Sequence, residues 1–491
     1  MNGHATAQSG LHFDVIIVGA GISGINSAYH IQDQLPGFSY AILEAREDLG
    51  GTWDLFRYPG IRSDSDLFTF GFAFNPWNYS NPIADGPSIK QYIRETAQKY
   101  SIDKNILFRH HVSSANWSKA DNTWSLAVDA DGAPKTLTTR FMIFGTGYYD
   151  YKEALQAKIP GLDNFQGQII HPQFWPEDLD YKNKKVVIIG SGATAITLLP
   201  NLANEAANVT MLQRSPTYIQ SIPNRTNNRR LSCLLPTGLY HRLQRAIWIQ
   251  RQRIFFLFCQ CFPSISAWYL KLAYDPHFKP NYDPWDQRLC VCPDGDFFAS
   301  LRSGKANVCT DTIKTVTKKG ITLNAGEMLD ADIIITATGL KLQIAGGVAL
   351  TVDGENFDIS SKYMWNGVML QDLPNAAFVI GYTNASWTLG AEATAQCITR
   401  IIKTLESRKL VAAVPHVKDQ DAPLLQERPM VQLKSTYIID GPRVFPRASD
   451  RGPWLPRDHY GKDIRFATKG NLDDGLEFVQ GPSLRLRKKL A

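Results

Sequence analysis

The chain has 491 residues, 44% of them hydrophobic, which is enough to bury large cores and more than one domain of usual size holds. Its 52 basic and 46 acidic residues leave a net charge of +6 mixed along the sequence, which argues against a dedicated nucleic-acid binder and suits a groove for anionic cofactors. Seven cysteines, an odd number with no C-x-x-C pair, argue against a disulfide framework and a redox dithiol; the pairs Cys259/Cys261 and Cys290/Cys292 lack further ligands at zinc spacing, so no metal is expected.

Met1 to Leu11 is polar and runs straight into the apolar Phe13–Val18, without the architecture of a secretory signal, so an intracellular, cytoplasmic protein is expected. Phe13–Val18 reads as a buried strand, followed at once by Gly19-Ala-Gly21-Ile-Ser23-Gly24 and a helical pattern through Ile22, Ile25, Ala28, Tyr29 and Leu35. This is a dinucleotide-binding turn. Gly19 permits the tight turn, Gly21 lets a pyrophosphate approach the backbone at the helix N-terminus, and Gly24 lets helix and strand pack closely. A second strand, Tyr40–Leu43, ends in Glu44, 20 residues beyond Gly24, where an acid accepts hydrogen bonds from a ribose diol.

The pattern returns at 184–189, followed by Gly190-Ser191-Gly192-Ala193-Thr194-Ala195 and a helix through Leu198, Leu199 and Leu202. Ala195 replaces the third glycine, which the fingerprint tolerates. The next strand, Val209–Leu212, ends in Gln213-Arg214-Ser215 with no carboxylate, and a cation with a hydroxyl there suits a 2′-phosphate, favouring NADPH over NADH. Residues 223–285 look like a helical insert. Its run 254–262, Ile-Phe-Phe-Leu-Phe-Cys-Gln-Cys-Phe, falls short of the roughly 20 apolar residues that span a bilayer. It reads as a buried helix, or as a basic, aromatic face resting on a membrane or gating a greasy substrate channel. Runs 141–147 and 333–339 end in small residues and suit crossings between two units. The expected fold is α/β with two Rossmann-like domains: 1–150 with 340–491, and 151–339 carrying the insert.

Two longer motifs carry a resemblance. Phe165, Gly167, His171, Trp175 and Pro176 match F-x-G-x-x-x-H-x-x-x-W-(P/D), and Gly50-Gly51-Thr52-Trp53, Tyr58-Pro59-Gly60 and Asp64 match a second fingerprint. Both resemble the Baeyer–Villiger type of class B flavin monooxygenase, and from about Phe13 to beyond Trp387 the chain is most similar to the ethionamide-activating and long-chain alkane-degrading group. The resemblance implies FAD on the first unit and NADPH on the second. It implies cofactor contacts from Gly51, Thr52, Trp53, Asp54, Arg62, Ser63, Asp64, Val112 and Trp387, and, on the second unit, from Ser191, Ala193, Thr194, Arg214 and Ser215. Asp64 would sit beside the flavin ring and orient Arg288, the catalytic cation. Read without the resemblance, Asp64 suits a helix cap and Arg288 an ordinary salt bridge. His171 and Trp175 read as a hinge between domains rather than acid–base groups.

The implied reaction places one atom of dioxygen next to the carbonyl of a lipophilic ketone, through a flavin 4a-peroxide, to give an ester or lactone. The same scaffold suits sulfur, nitrogen or long-chain alkane oxygenation. A non-catalytic flavin-binding protein is the alternative of another class.

Overall fold

The computed structural model describes residues 12–225, 235–271, 277–431, 435, 438 and 443–481. Positions 226–234 and 272–276 of the expected insert, and the basic tail at 485–489, lie outside the described residues.

The first sheet is built around His12–Val18, which lies parallel between Tyr40–Leu43 and Ala133–Phe144 with Val15 opposite Tyr40 and Phe141. Ile106–Leu107 extends it on one side and Ala376–Phe378 pairs parallel with Ala133–Phe144. His110–Ser118 and Thr123–Ala130 continue it as an antiparallel meander. A near-continuous apolar strand needs cover on both faces. Val15 and Ile17 pack against the helices Ile22–Gln34 and Trp387–Arg408, while Ile16 and Val18 pack against Trp117, Trp124 and Leu126 of the meander.

The second sheet is wholly parallel, in the order Ala306–Thr310, Asn208–Gln213, Lys185–Ile189, Ile333–Thr336, Gln168–Ile170. Its core is not closed by its own residues alone. Leu55, Phe56, Tyr58 and Ile61 are buried among Ile188, Ala195, Leu198 and Leu199. Full burial of such a side chain contributes about 1.5–3 kcal/mol, so this loop is a structural tie between the sheets.

The chain crosses between the sheets at two segments that pair with each other. The Asp150 amide donates to the Lys341 carbonyl at 2.8 Å and the Gln343 amide to the Tyr148 carbonyl at 3.1 Å, with the Lys341 ammonium 2.9 Å from the Asp150 carboxylate. His171 lies beside Gly339, and the Gln173 side chain donates to the Asp150 carbonyl at 2.6 Å, so this motif braces both crossings.

The insert is helical, as Thr237–Cys261 and Pro263–Lys271, but its long helix is not a buried one. Only Gln244 and Cys259 are buried along Thr237–Cys261, because the helix lies on the outside of the loop at 66–71 and its other side is exposed at Leu239, Leu243, Ile247, Ile254 and Leu257.

Candidate functional site

A cavity of about 360 Å³ opens where the carboxyl ends of the first sheet's strands meet the second unit. Ligands of open α/β sheets bind at this edge. Its floor is the first glycine turn. Gly21 precedes the helix Ile22–Gln34 with no side-chain cap and no acid in the first turn, so the helix's amides and its positive end face the cavity. A Cβ on Gly24 would come 1.9 Å from the Gly19 carbonyl oxygen, so only glycine lets the helix sit this close to its strand. Glu44 lines the same wall, where its carboxylate accepts from the Ala20 amide at 2.7 Å and the Arg46 amide at 3.0 Å. Burial pushes its carboxyl above the usual range, an effect those two amides partly offset. Uncapped amides, an open backbone and a fixed acid fit an adenine dinucleotide with a free ribose diol.

Thr52, Trp53, Arg62, Ser63, Asp64, Val112 and Trp387 also line the cavity. The Trp387 indole donates to Ser23 Oγ at 2.8 Å, tying the helix Trp387–Arg408 to the glycine turn. Asp54 does not line it. Its carboxylate is taken up by Arg46 at 2.6 Å and Lys90 at 2.6 Å.

The second turn has the same form. Gly190 (φ +131°) would bring a Cβ to 2.2 Å from the Ala337 carbonyl oxygen, and Gly192 opens the helix Ala193–Leu202 without a side-chain cap and faces open space. Gly190, Ser191, Gly192, Ala193, Ala195, Arg214 and Ser215 stand outside the main cavity, and Thr194 is the residue of this group on its wall. Ser191 Oγ donates to the Ser215 carbonyl at 3.0 Å, so exposed Arg214 stands at the edge of the turn. Buried Gln213 is committed elsewhere, to the His277 carbonyl at 2.8 Å and Thr310 Oγ1 at 2.9 Å.

The two units meet over Arg288. Its guanidinium donates to Ser65 Oγ at 3.5 Å and lines the cavity together with Asp64 and Arg62. Burial pushes the Asp64 carboxyl up, and the charges of Arg288 and Arg62 pull it back. Arg62 is itself paired with Asp296, beyond the strand Cys290–Pro293. Arg288 also lines a smaller pocket of about 50 Å³ with Ile380, Met430, Phe445 and Leu455, so it stands between a polar-floored cavity and an apolar one.

Several wall residues are not among the expected site residues: Tyr58, which lies within a quoted motif, and His111, Tyr148, Tyr151 and Gln343, which carry no signal of their own in the sequence. Tyr58 is held by a hydrogen bond to Thr194, and burial near Asp64 keeps its phenol protonated well above the ordinary range. The Tyr58-Pro59-Gly60 motif could have pointed to it; for Tyr148 and Gln343, only the pairing of the two crossings brings them here.

The comparisons agree with this geometry. A family model described as flavin-binding monooxygenase-like matches residues 13–228. The chain is 46% identical over 485 residues to the FAD-containing monooxygenase EthA of Mycobacterium tuberculosis, covering 96% of this chain and 99% of that protein. It is 44% identical over 477 residues to the "Probable FAD-binding monooxygenase AlmA" of Acinetobacter baylyi, covering 95% of each. A solved oxidized steroid monooxygenase bound to NADP shares the fold with a TM-score of 0.76 at 20% identity, covering 96% of this chain and 100% of that one. With near-complete coverage at such identity, and both glycine turns and the cavity between them in place, the chain belongs to the family of FAD-containing, flavin-binding monooxygenases.

Proposed function

We propose that this FAD- and NADPH-dependent flavin monooxygenase acts as a Baeyer–Villiger enzyme, placing one atom of dioxygen next to the carbonyl of a lipophilic ketone to give an ester or lactone. In this reading residues 1–150 and 340–491 carry FAD along the 360 Å³ cavity, and 151–339 carry NADPH, with Arg214 at the 2′-phosphate.

The observation that carries the reading is the position of Arg288 on the walls of both pockets. Bound flavin, once reduced by NADPH, supplies the activation of dioxygen. Arg288 is a permanent cation, so it favours negative charge on oxygen at the wall and, later, on the oxyanion of an attacked carbonyl. Asp64 and Ser65 hold that guanidinium on one side, and the apolar pocket beyond it seats the ketone. Trp53, Trp387 and Tyr148 wall the cavity, which keeps water from the reacting oxygen.

Arg288→Ala should leave flavin reduction by NADPH nearly intact while oxygenation falls about 100- to 1000-fold, and Arg288→Lys should recover part of it. Stopped-flow reduction, run beside oxygen-18 incorporation into a ketone and into a sulfide, decides it. Ketone oxygenation near the parental rate in Arg288→Ala would make the arginine structural. Parental turnover of the sulfide alone would make the enzyme a heteroatom oxygenase.

A further inference from the structure

Nine of the sixteen large apolar side chains exposed among the described residues lie in one place, the pair of helices Thr237–Cys261 and Pro263–Lys271. Scattered exposed apolar residues are ordinary, but a contiguous patch marks a surface that meets something. On the long helix Leu239, Leu243, Ile247, Ile254 and Leu257 are spaced by four, four, seven and three, which is one stripe at 3.6 residues per turn. Phe262 turns the corner and Ile265, Trp268 and Tyr269 continue the patch, with Ile254 65% and Trp268 63% exposed.

The opposite side of the long helix is firmly held, so the outer stripe is a settled feature. Arg245 donates to the carbonyls of Phe68, Thr69 and Gly71 at 3.1, 3.1 and 2.7 Å, Gln252 reaches Asp66, and the Phe256 ring meets Trp285 edge-on.

Charge selects the occupant. From Thr237 to Leu270 the chain carries no Asp or Glu, while Arg242 and Arg251 are exposed beside the stripe and Arg253 is half-buried. A second copy of this face would bring cations against cations. An anionic surface with an apolar interior complements both properties, and exposed Trp and Tyr beside a cationic, apolar helix are the composition of an interfacial helix. No described helix is long and apolar enough to cross a membrane, which leaves a helix of 25 residues, about 37 Å, to lie in the interface plane. We propose that the outer face of these two helices docks the enzyme on an anionic phospholipid bilayer. The underlying loop at 66–71 contributes Phe70 to the cavity wall, so the docked surface lies directly outside the site.

The test is flotation of the FAD-loaded full-length protein with vesicles of phosphatidylcholine alone or of phosphatidylcholine and phosphatidylglycerol in equal parts. Binding is expected to the mixed vesicles and not to phosphatidylcholine, and to weaken with salt. Ile254→Glu with Leu257→Glu should abolish it. Arg242→Gln and Arg251→Gln should each weaken it about 5-fold. None of these residues lines the cavity, so flavin content and reduction by NADPH should stay parental and report the fold. No flotation with mixed vesicles, or flotation unchanged by the glutamate pair, overturns the proposal. So does a lipid-indifferent dimer that the same pair converts to monomer in sedimentation velocity, which would assign the face to a second copy.

Discussion

Asp66 shows how one carboxylate couples the site loop to solvent pH. It caps the short helix Leu67–Phe70 by accepting from the Thr69 amide at 2.9 Å, and it also accepts from the Thr69 hydroxyl at 2.8 Å and from Gln252. It is 4% exposed, and burial pushes its carboxyl up to about 6 although those donors pull the other way. The folded protein therefore keeps a proton here where the unfolded chain, titrating near 3.9, has lost it. Stability from this residue is full below about pH 4, declines as pH rises toward 6, and is flat above. Asp66→Asn keeps a capping oxygen and removes the proton. The difference in Tm between parent and variant should thus change between pH 4 and 6 and level off above; a difference that is constant across that range sinks the assignment. Asp54 makes the complementary point, since its carboxylate is held by two cations in contact.

At the scale of elements, the long helix Thr237–Cys261 bears on Arg288 from behind. Phe255 packs with Tyr218 and Leu289, and Phe256 meets Trp285 at 5.5 Å between ring centroids, so the two phenylalanines hold the residues that flank Arg288. Neither lines the main cavity or the smaller pocket beyond it, which removes the support for a channel gate at these two positions. Phe256→Ser should cost about 1–2 kcal/mol in stability, less than a fully buried truncation because the ring is half-buried. It should also lower kcat by a similar factor for ketones of every chain length. Turnover across a chain-length series in the folded variant checks this, and a loss confined to long ketones would reinstate the gate.

At the scale of the whole molecule, the two sheets are joined by the paired crossings and by the loop around Gly60, which has φ +77° and abuts the helix Ala193–Leu202. A Cβ on Gly60 would meet the Asn201 side chain at 1.9 Å. Gly60→Ala should push the loop off that helix, shift Tyr58 from Thr194, and reduce the yield of oxygenated product per NADPH consumed. Asn201→Ala in the same chain should restore much of it by clearing the space. The left-handed backbone would still cost about 1 kcal/mol. Product per NADPH in the single and double variants decides the matter; no recovery in the double would place the defect in backbone strain alone.

What was legible in the sequence is what lies within a few consecutive residues. The strand–glycine turn–helix units at Gly19–Gly24 and Gly190–Ala195 and the acid at Glu44 sit at fixed offsets set by strand and helix geometry, so the α/β fold and two nucleotide sites could be read directly. The long motifs then carried the family. Tertiary structure decided what depends on distant partners. Arg288 meets Ser65 across 223 residues, Tyr58 reaches Thr194, and Asp54 pairs with Lys90. The apolar run at 254–262 is the clearest case: apolarity implies a face that prefers not to meet water, but whether the protein supplies the covering surface is settled only when the rest of the chain is in place. Here Phe255, Phe256 and Cys259 are packed against protein, while Ile254, Leu257 and Phe262 stay exposed.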